Sequence, residues 1–277
     1  LRDAILGSED PGVVTTSIVD FNKALINGTK PYAVAYKPQA AFYEQYGLAG
    51  YSALLETIAY ARSVGVPVIF DGKRNDIGHT ASAYGNAWLA DKHPFLERAN
   101  PARGDAITIN GYLGRDGVQP FLDASATAGV FVLAKTSNPT SGELQDLTVD
   151  DSTTLLYERM SALSAEWGES NVGSSGFSRV GLVVGATYPE VARRVREIAP
   201  HALFLMPGVG AQGAGVEGIV MGSNSDGHGA FASSSRGIMY SFDSDVAASV
   251  DSWRDEVTAA CAKQASELAA SIRQVLA

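Results

Sequence analysis

The chain has 277 residues, of which 45% are hydrophobic and 18% charged, enough apolar material for a large core and unlike a disordered segment. Its net charge of −9 and pI near 4.9 exclude a nucleic-acid or anionic-membrane surface as the main partner, while leaving room for a local basic pocket that takes one small anion. The lone Cys261 excludes an internal disulfide, no zinc-ligand spacing exists, no apolar run reaches membrane-spanning length, and residues 1–12 are too polar for a signal peptide, so a cytoplasmic protein acting on small molecules is expected.

In chain order, residues 13–28 place Ile18, Phe21, Leu25 and Ile26 at helical spacing and stop at Gly28, which predicts a helix with Asp20 on its surface. Residues 31–37 form a short apolar run that ends in Lys37 and is closed by Pro38; on a strand, Ala33, Ala35 and Lys37 share a face. An amphipathic helix over residues 50–64 then leads to Val66–Phe70, a strand pattern that runs straight into Asp71, Lys73 and Asp76. Alternation turns Ile69, Asp71 and Lys73 one way, so an acid and a base lie side by side at the strand's C-terminal end, with Asp76 in the loop beyond.

The rest of the chain alternates. Helices are predicted over 80–91, 117–127, 153–168, 188–198 and 249–275, and strands over 105–110, 129–136, 180–187, 202–206 and, weakly, 229–234. Counting 31–37 and the Asp71 strand, that makes seven strands. Apolar strands separated by amphipathic helices mean a parallel sheet covered by helices. The loops over 138–152 and 209–228 are longer than structural connections need and read as functional. A doubly wound sheet is the main alternative. Charged and phosphate-type motifs after strands far apart in sequence suit the mouth of a (β/α)₈ TIM barrel better, because one site must collect them all.

Two of those motifs are of the phosphate type. Met206–Gly215 has four glycines after a strand, which frees backbone N–H groups to approach an anion, though without the spacing of a dinucleotide fingerprint. Arg236 directly follows the last strand, where a guanidinium can grip a phosphate with paired, charge-assisted hydrogen bonds.

Taken together, these residues resemble the orotidine 5′-phosphate decarboxylase family. The motifs are Tyr36-Lys-Pro-Gln39, Asp71-Gly-Lys-Arg-Asn-Asp-Ile77, Lys135-Thr-Ser-Asn-Pro139, Pro207-Gly-Val-Gly-Ala-Gln-Gly213 and Ser235-Arg-Gly-Ile238, in family order across residues 30–240. The resemblance implies a single barrel domain over 1–277 that converts orotidine 5′-phosphate (OMP) to UMP and CO₂ in pyrimidine synthesis, with no cofactor and no metal. It implies a catalytic set of Lys37, Asp71, Lys73 and Asp76, with Lys73 as proton donor. Thr80, Ser137, Pro207, Gln212 and Arg236 would bind substrate, Ser137 at the pyrimidine and Gln212 and Arg236 at the phosphate. Asp76 and Thr80 would enter the neighbouring subunit's site, giving a homodimer with composite sites. His79, His93, His201 and His228 match no catalytic role.

The family opens with a strand bearing a ribose-contacting aspartate, and nothing before residue 13 looks like it. The first strand is therefore expected to be missing, and a fusion with orotate phosphoribosyltransferase is one source of such a chain. Two other functions stay open. One is a Mg²⁺-dependent decarboxylase or synthase of the 3-keto-L-gulonate 6-phosphate and hexulose-phosphate type, which carries an acid where Lys37 stands. The other is a barrel that binds nucleotides without turnover.

Overall fold

The computed structural model describes residues 10–93, 98–149, 153–209, 215–243 and 253–276. Its main elements are α1 (Pro11–Thr29), α2 (Gly47–Ser63), β1 (Ile69–Arg74), α3 (Gly78–Trp88), β2 (Ala106–Ile109), α4 (Gln119–Asp123), β3 (Gly129–Lys135), α5 (Leu156–Gly168), β4 (Val180–Val184), α6 (Pro189–Ile198), β5 (Phe204–Pro207), α7 (Glu217–Gly222), β6 (Ala230–Ser233) and α8 (Trp253–Leu276). The strands β1 to β6 form a six-stranded sheet in sequence order, and each successive pair from β2 to β6 is parallel. An order that never reverses has no switch point, the feature that defines a doubly wound sheet, so that alternative is removed. No described helix is long and apolar enough to cross a membrane. The chain divides into two compact units, one of residues 1–72, 90–105 and 236–270, the other of 73–89, 106–235 and 271–277.

In the first unit, the Asp10 side chain caps α1 by accepting from the Gly12 N–H at 2.8 Å, and Pro11 starts the helix where no N–H is needed. Gly28 does not end α1. A Cβ there would sit 2.3 Å from the Thr258 carbonyl oxygen, so glycine is required by the close approach of α8 rather than by a stop. Ala24, Val257 and Cys261 form the buried contact between α1 and α8, with Phe21 and Trp253 packed against it. The Arg254 guanidinium pairs with Asp20, so Asp20 has a structural partner and is only partly exposed.

Residues 31–37 do not form a full strand, contrary to expectation. Isolated parallel bridges join Tyr36 to Val68 and Gln39 to Asp71, both with the same offset. Tyr36 N–H donates to Pro67, Ile69 N–H to Tyr36, Asp71 N–H to Pro38 and Ala40 N–H to Asp71. Pro38 has no N–H, so the ladder loses one rung at that residue while its register is kept.

In the second unit every residue of β4 is buried, which is why its sequence is apolar throughout rather than alternating. One face looks to the helices: a Cβ on Gly222 of α7 would lie 2.6 Å from the Met206 sulfur, and the Arg196 guanidinium of α6 stacks 3.7 Å from the Phe204 ring. On the opposite face Phe131 lies over Gly181 and meets Phe231 edge-on, with ring centroids 6.3 Å apart. Three loop and boundary expectations change. The 209–228 loop contains α7, and the 138–152 loop holds a 3₁₀ turn (Pro139–Ser141), a helical turn (Gly142–Gln145) and half of a two-stranded antiparallel ribbon pairing Thr148–Val149 with Thr154–Leu155. Helix 117–127 shortens to α4, because the Ser125 hydroxyl accepts from the Thr127 and Ala128 N–H groups and draws the chain out of the helix.

Two arginines tie down the N-terminal ends of these strands. Arg179 donates to the carbonyls of Leu122, Ser125 and Ala128 and to the Asn171 side chain. Arg196 donates to the carbonyls of Ala199, Pro200, Ala202, Gly222 and Gly229, at 2.7 to 3.2 Å. Burial pushes the Arg196 pKa down to about 10, with Asp226 opposing, and the group still stays charged at neutral pH. Arg196→Met should therefore strip donors from a buried cluster of carbonyls and cost roughly 3–5 kcal/mol in urea unfolding. A loss below about 1 kcal/mol, the worth of one ordinary hydrogen bond, would contradict the clamp.

Candidate functional site

In the first unit, the shared offset of the two bridges sets Lys37 beside Ile69, on the face that also holds Asp71. The Lys37 Nζ reaches Asp71 Oδ2 at 2.9 Å. The aspartate side chain is 7% exposed and the lysine 19%, so the pair lies mostly out of water, where charges interact far more strongly than at a surface. The acid and base expected side by side from the sequence are Asp71 and Lys73; the partner found on Asp71 is Lys37, from the neighbouring segment. Arg236, the other candidate in this unit, is exposed and opens the short helix Arg236–Met239.

In the second unit, Lys73 departs from strand geometry. Its φ of 44° lies in the left-handed region, so the alternation that predicts its direction stops at Gly72. For a non-glycine residue such a conformation costs about 1–3 kcal/mol and persists only where surroundings enforce it, most often at functional sites. Here the Lys73 N–H donates to the Thr108 hydroxyl at 3.0 Å, and Thr108, buried on β2, shares a face with Phe131. Asp76 follows in the connection to α3 and accepts from the Ile77 N–H at 2.8 Å. Thr80 is exposed in the first turn of α3.

Ser137 and Pro207 stand at the C-terminal edge of the same sheet. A Cβ on Gly185, just after β4, would lie 3.1 Å from both Cα and Cβ of Ser137, so the glycine lets the two strand ends close up. The Pro207 carbonyl, at the end of β5, accepts from Ala186 N–H at 2.9 Å, and Pro207 is in register with Ser233 of β6. These candidates therefore belong to one row of adjacent strand ends. Gln212 lies outside the described residues. His201 holds the Gly176 carbonyl and His228 the Asp226 carbonyl through Nδ1, both at exposed loops.

Sequence reading missed three residues. Thr108 was legible in principle, as one hydroxyl inside the otherwise apolar Ala106–Ile109. Asp146 and Gln145 were not. Asp146 pairs with Lys135 at 2.5 Å, and Gln145 holds both the N–H and the hydroxyl of Thr136, contacts made only because the loop folds back.

Residues 16–249 match the sequence profile of the orotidine 5′-phosphate decarboxylase / HUMPS family. The chain is 41% identical over 265 residues to the orotidine 5′-phosphate decarboxylase of Rhodopirellula baltica, covering 94% of this chain and 86% of that one. It superposes on the structure of Leishmania donovani OMP decarboxylase with a TM-score of 0.74 at 36% identity, covering 95% of this chain and 89% of the other. The structure of Leishmania donovani UMP synthase gives a TM-score of 0.76 at 37% identity, and the match covers 95% of this chain but 51% of that longer one.

The Lys37–Asp71 pair generates a test that needs no substrate. In a double-mutant cycle of Lys37→Met and Asp71→Asn, unfolding free energies should be non-additive by roughly 1–3 kcal/mol. Additivity within about 0.3 kcal/mol would show that the two charges do not stabilise one another.

Proposed function

Because this chain belongs to the orotidine 5′-phosphate decarboxylase family and shares its (β/α) barrel fold class, we propose that it is the carboxy-lyase that converts OMP to UMP and CO₂, as one catalytic domain over residues 1–277 working in the cytoplasm. The observation behind this reading is the Lys37–Asp71 pair at 2.9 Å, set on the strand that two residues later presents Lys73 in a strained conformation.

The chemistry asks for such charges. When the bond from C6 of the orotate ring to its carboxylate breaks, the electron pair stays on C6, and no ring carbonyl or nitrogen lies where it can absorb that charge. Stabilisation must be electrostatic. In our reading the Lys73 ammonium faces C6, stabilises the developing carbanion and then gives it a proton, leaving UMP and a neutral lysine that solvent reprotonates. Asp71 stands near the substrate carboxylate, Lys37 holds Asp71 in place, and Asp76 completes the charged set. One charge pair at about 4 Å is worth about 4 kcal/mol at an effective dielectric of about 20, against a barrier reduction of roughly 20 kcal/mol. No single contact suffices, so binding energy from the remote phosphate must contribute. Arg236 and Gln212 take that role, Pro207 shapes the phosphate loop, and Ser137 and Thr80 hold the nucleotide.

The Mg²⁺-dependent reading is disfavoured by the same pair. An ammonium bonded to Asp71 occupies the position where those enzymes place an acid, and it would repel a divalent cation. Purified protein should convert OMP to UMP in the presence of EDTA, followed by loss of orotate absorbance. An absolute requirement for Mg²⁺ would move the assignment to the gulonate-type reaction.

The division of labour can be separated kinetically. Lys73→Ala should abolish turnover while UMP still binds, whereas Arg236→Ala should raise KM strongly. Equal KM effects with kcat unchanged in both variants would reject it.

We further propose a homodimer in which Asp76 and Thr80 serve the partner's site. Mixing Lys73→Ala with Asp76→Ala protein should then restore about one quarter of wild-type activity, since random exchange makes half the dimers mixed with one intact site each. Exchange verified by mass spectrometry without any gain in activity would place Asp76 in its own chain's site.

A further inference from the structure

The segment Lys135–Pro139 contains one residue with an assigned role, Ser137, and a lysine with none. Lys135 ends β3 and is 3% exposed. Its direction is set by an irregularity in the sheet. Leu133 pairs with Val183, but Lys135 pairs with Val184, so β3 advances two residues while β4 advances one. A bulge of this kind re-aims the side chain that follows it. Here it moves Lys135 off the face of Leu133 and Phe131 and onto the helix-facing side with Val184. On that side Lys135 Nζ lies 5.8 Å from the Tyr157 ring centroid of α5 and 5.5 Å from that of Tyr188, and it bonds Asp146 Oδ1 at 2.5 Å.

Lys135 therefore points away from the face on which Thr108 supports Lys73, and it acts on the loop from behind. Gly142 leaves room for the Asp146 carboxylate: a Cβ there would lie 2.8 Å from Asp146 Oδ2. Next to it, Gln145 accepts from the Thr136 N–H at 2.9 Å and donates to the Thr136 hydroxyl at 2.8 Å. That hydroxyl donates to Asn138 Oδ1 at 2.6 Å, and the Lys135 carbonyl accepts from Gly185 N–H at 2.8 Å. Thr136, on one side of Ser137, is thus held by Gln145 of the returning loop, Thr136 in turn holds Asn138 on the other side, and Gly185 closes on Ser137 itself.

We propose that Lys135, Asp146 and Gln145 form a latch that positions Ser137 against the pyrimidine of the substrate, with Lys135 a positioning residue that never touches the nucleotide. This rests on the reading of Ser137 as a pyrimidine contact given under Proposed function. A buried ion pair adds little net stability over an apolar side chain of similar size, so its effect here is on geometry. Because the latch lies behind the segment read as contacting the base and, among the described residues, is joined by no hydrogen bond to Pro207 or Ser233, its loss should weaken binding of the base and leave binding of the phosphate alone.

Lys135→Met tests this, since methionine fills the space between the two tyrosine rings without the charge. The expected result is a drop in kcat/KM for OMP of about tenfold, with the inhibition constant of UMP raised by a similar factor. Ribose 5-phosphate, which has the sugar and phosphate but no base, should inhibit the variant and the wild type equally, at an unchanged melting temperature. Unaltered UMP inhibition, or equal weakening of UMP and ribose 5-phosphate, would overturn the latch. Should Lys135→Met fail to fold, Gly142→Ala displaces Asp146 from the exposed side and is read by the same constants. Wild-type protein without OMP turnover would remove the decarboxylase reading and this inference together; active wild type with an unaffected variant would remove the latch alone.

Discussion

A cation drawn largely out of water beside the sheet must find its partner on the spot, because the desolvation it suffers there costs several kcal/mol. This constraint recurs at three largely buried cations of the chain. Lys37 meets it with Asp71, Lys135 with Asp146, and Arg196 with a ring of backbone carbonyls. Each solution fixes a backbone segment as well as a charge. Lys37 ties the segment around Pro38 to β1, Lys135 ties a loop to the end of β3, and Arg196 ties α6 to the starts of β5 and β6.

The ends of the strands in the second unit are used differently. At the N-terminal ends, the hydrogen bonds of Arg179 and Arg196 go to backbone carbonyls and one side-chain amide, contacts that satisfy buried acceptors. At the C-terminal ends stand Ser137, Gly185 and Pro207, the residues where the proposed site lies. That asymmetry is the one expected of (β/α) barrels, in which one face is built for stability and the other for chemistry.

Strain is confined to the C-terminal side as well. Lys73 is the only non-glycine residue at positive φ among the described residues, and it is the residue proposed above as proton donor. Its N–H is caught by Thr108, a hydroxyl buried on the neighbouring strand. A lysine in ordinary strand geometry would point wherever alternation sent it. The left-handed turn gives it a direction that local preference would not, and the hydrogen bond from β2 offsets part of the conformational energy.

Much of this was legible in the residues alone. The alternation of apolar strands and amphipathic helices specifies a parallel α/β fold, since strands buried on both faces have to be apolar throughout, as β4 is. Strand parity gave the face of Lys37 and the face of Asp71 each within its own segment, and the register between the two segments, seen only in the structure, sets them together. Parity alone does not govern Lys73 or Lys135. A left-handed φ at one and a bulge beside the other take both out of regular strand geometry, which no side-chain pattern encodes. Gly28 was read as a helix stop because its true reason, the Thr258 carbonyl of a helix more than two hundred residues later, exists only after folding. Composition, period and motif thus determined which elements form and which chemistry their ends offer, because those depend on residues near in sequence. Where each charge points and what holds it was decided by tertiary structure, because the partners Thr108, Asp146 and Gln145 come from segments that only packing brings near.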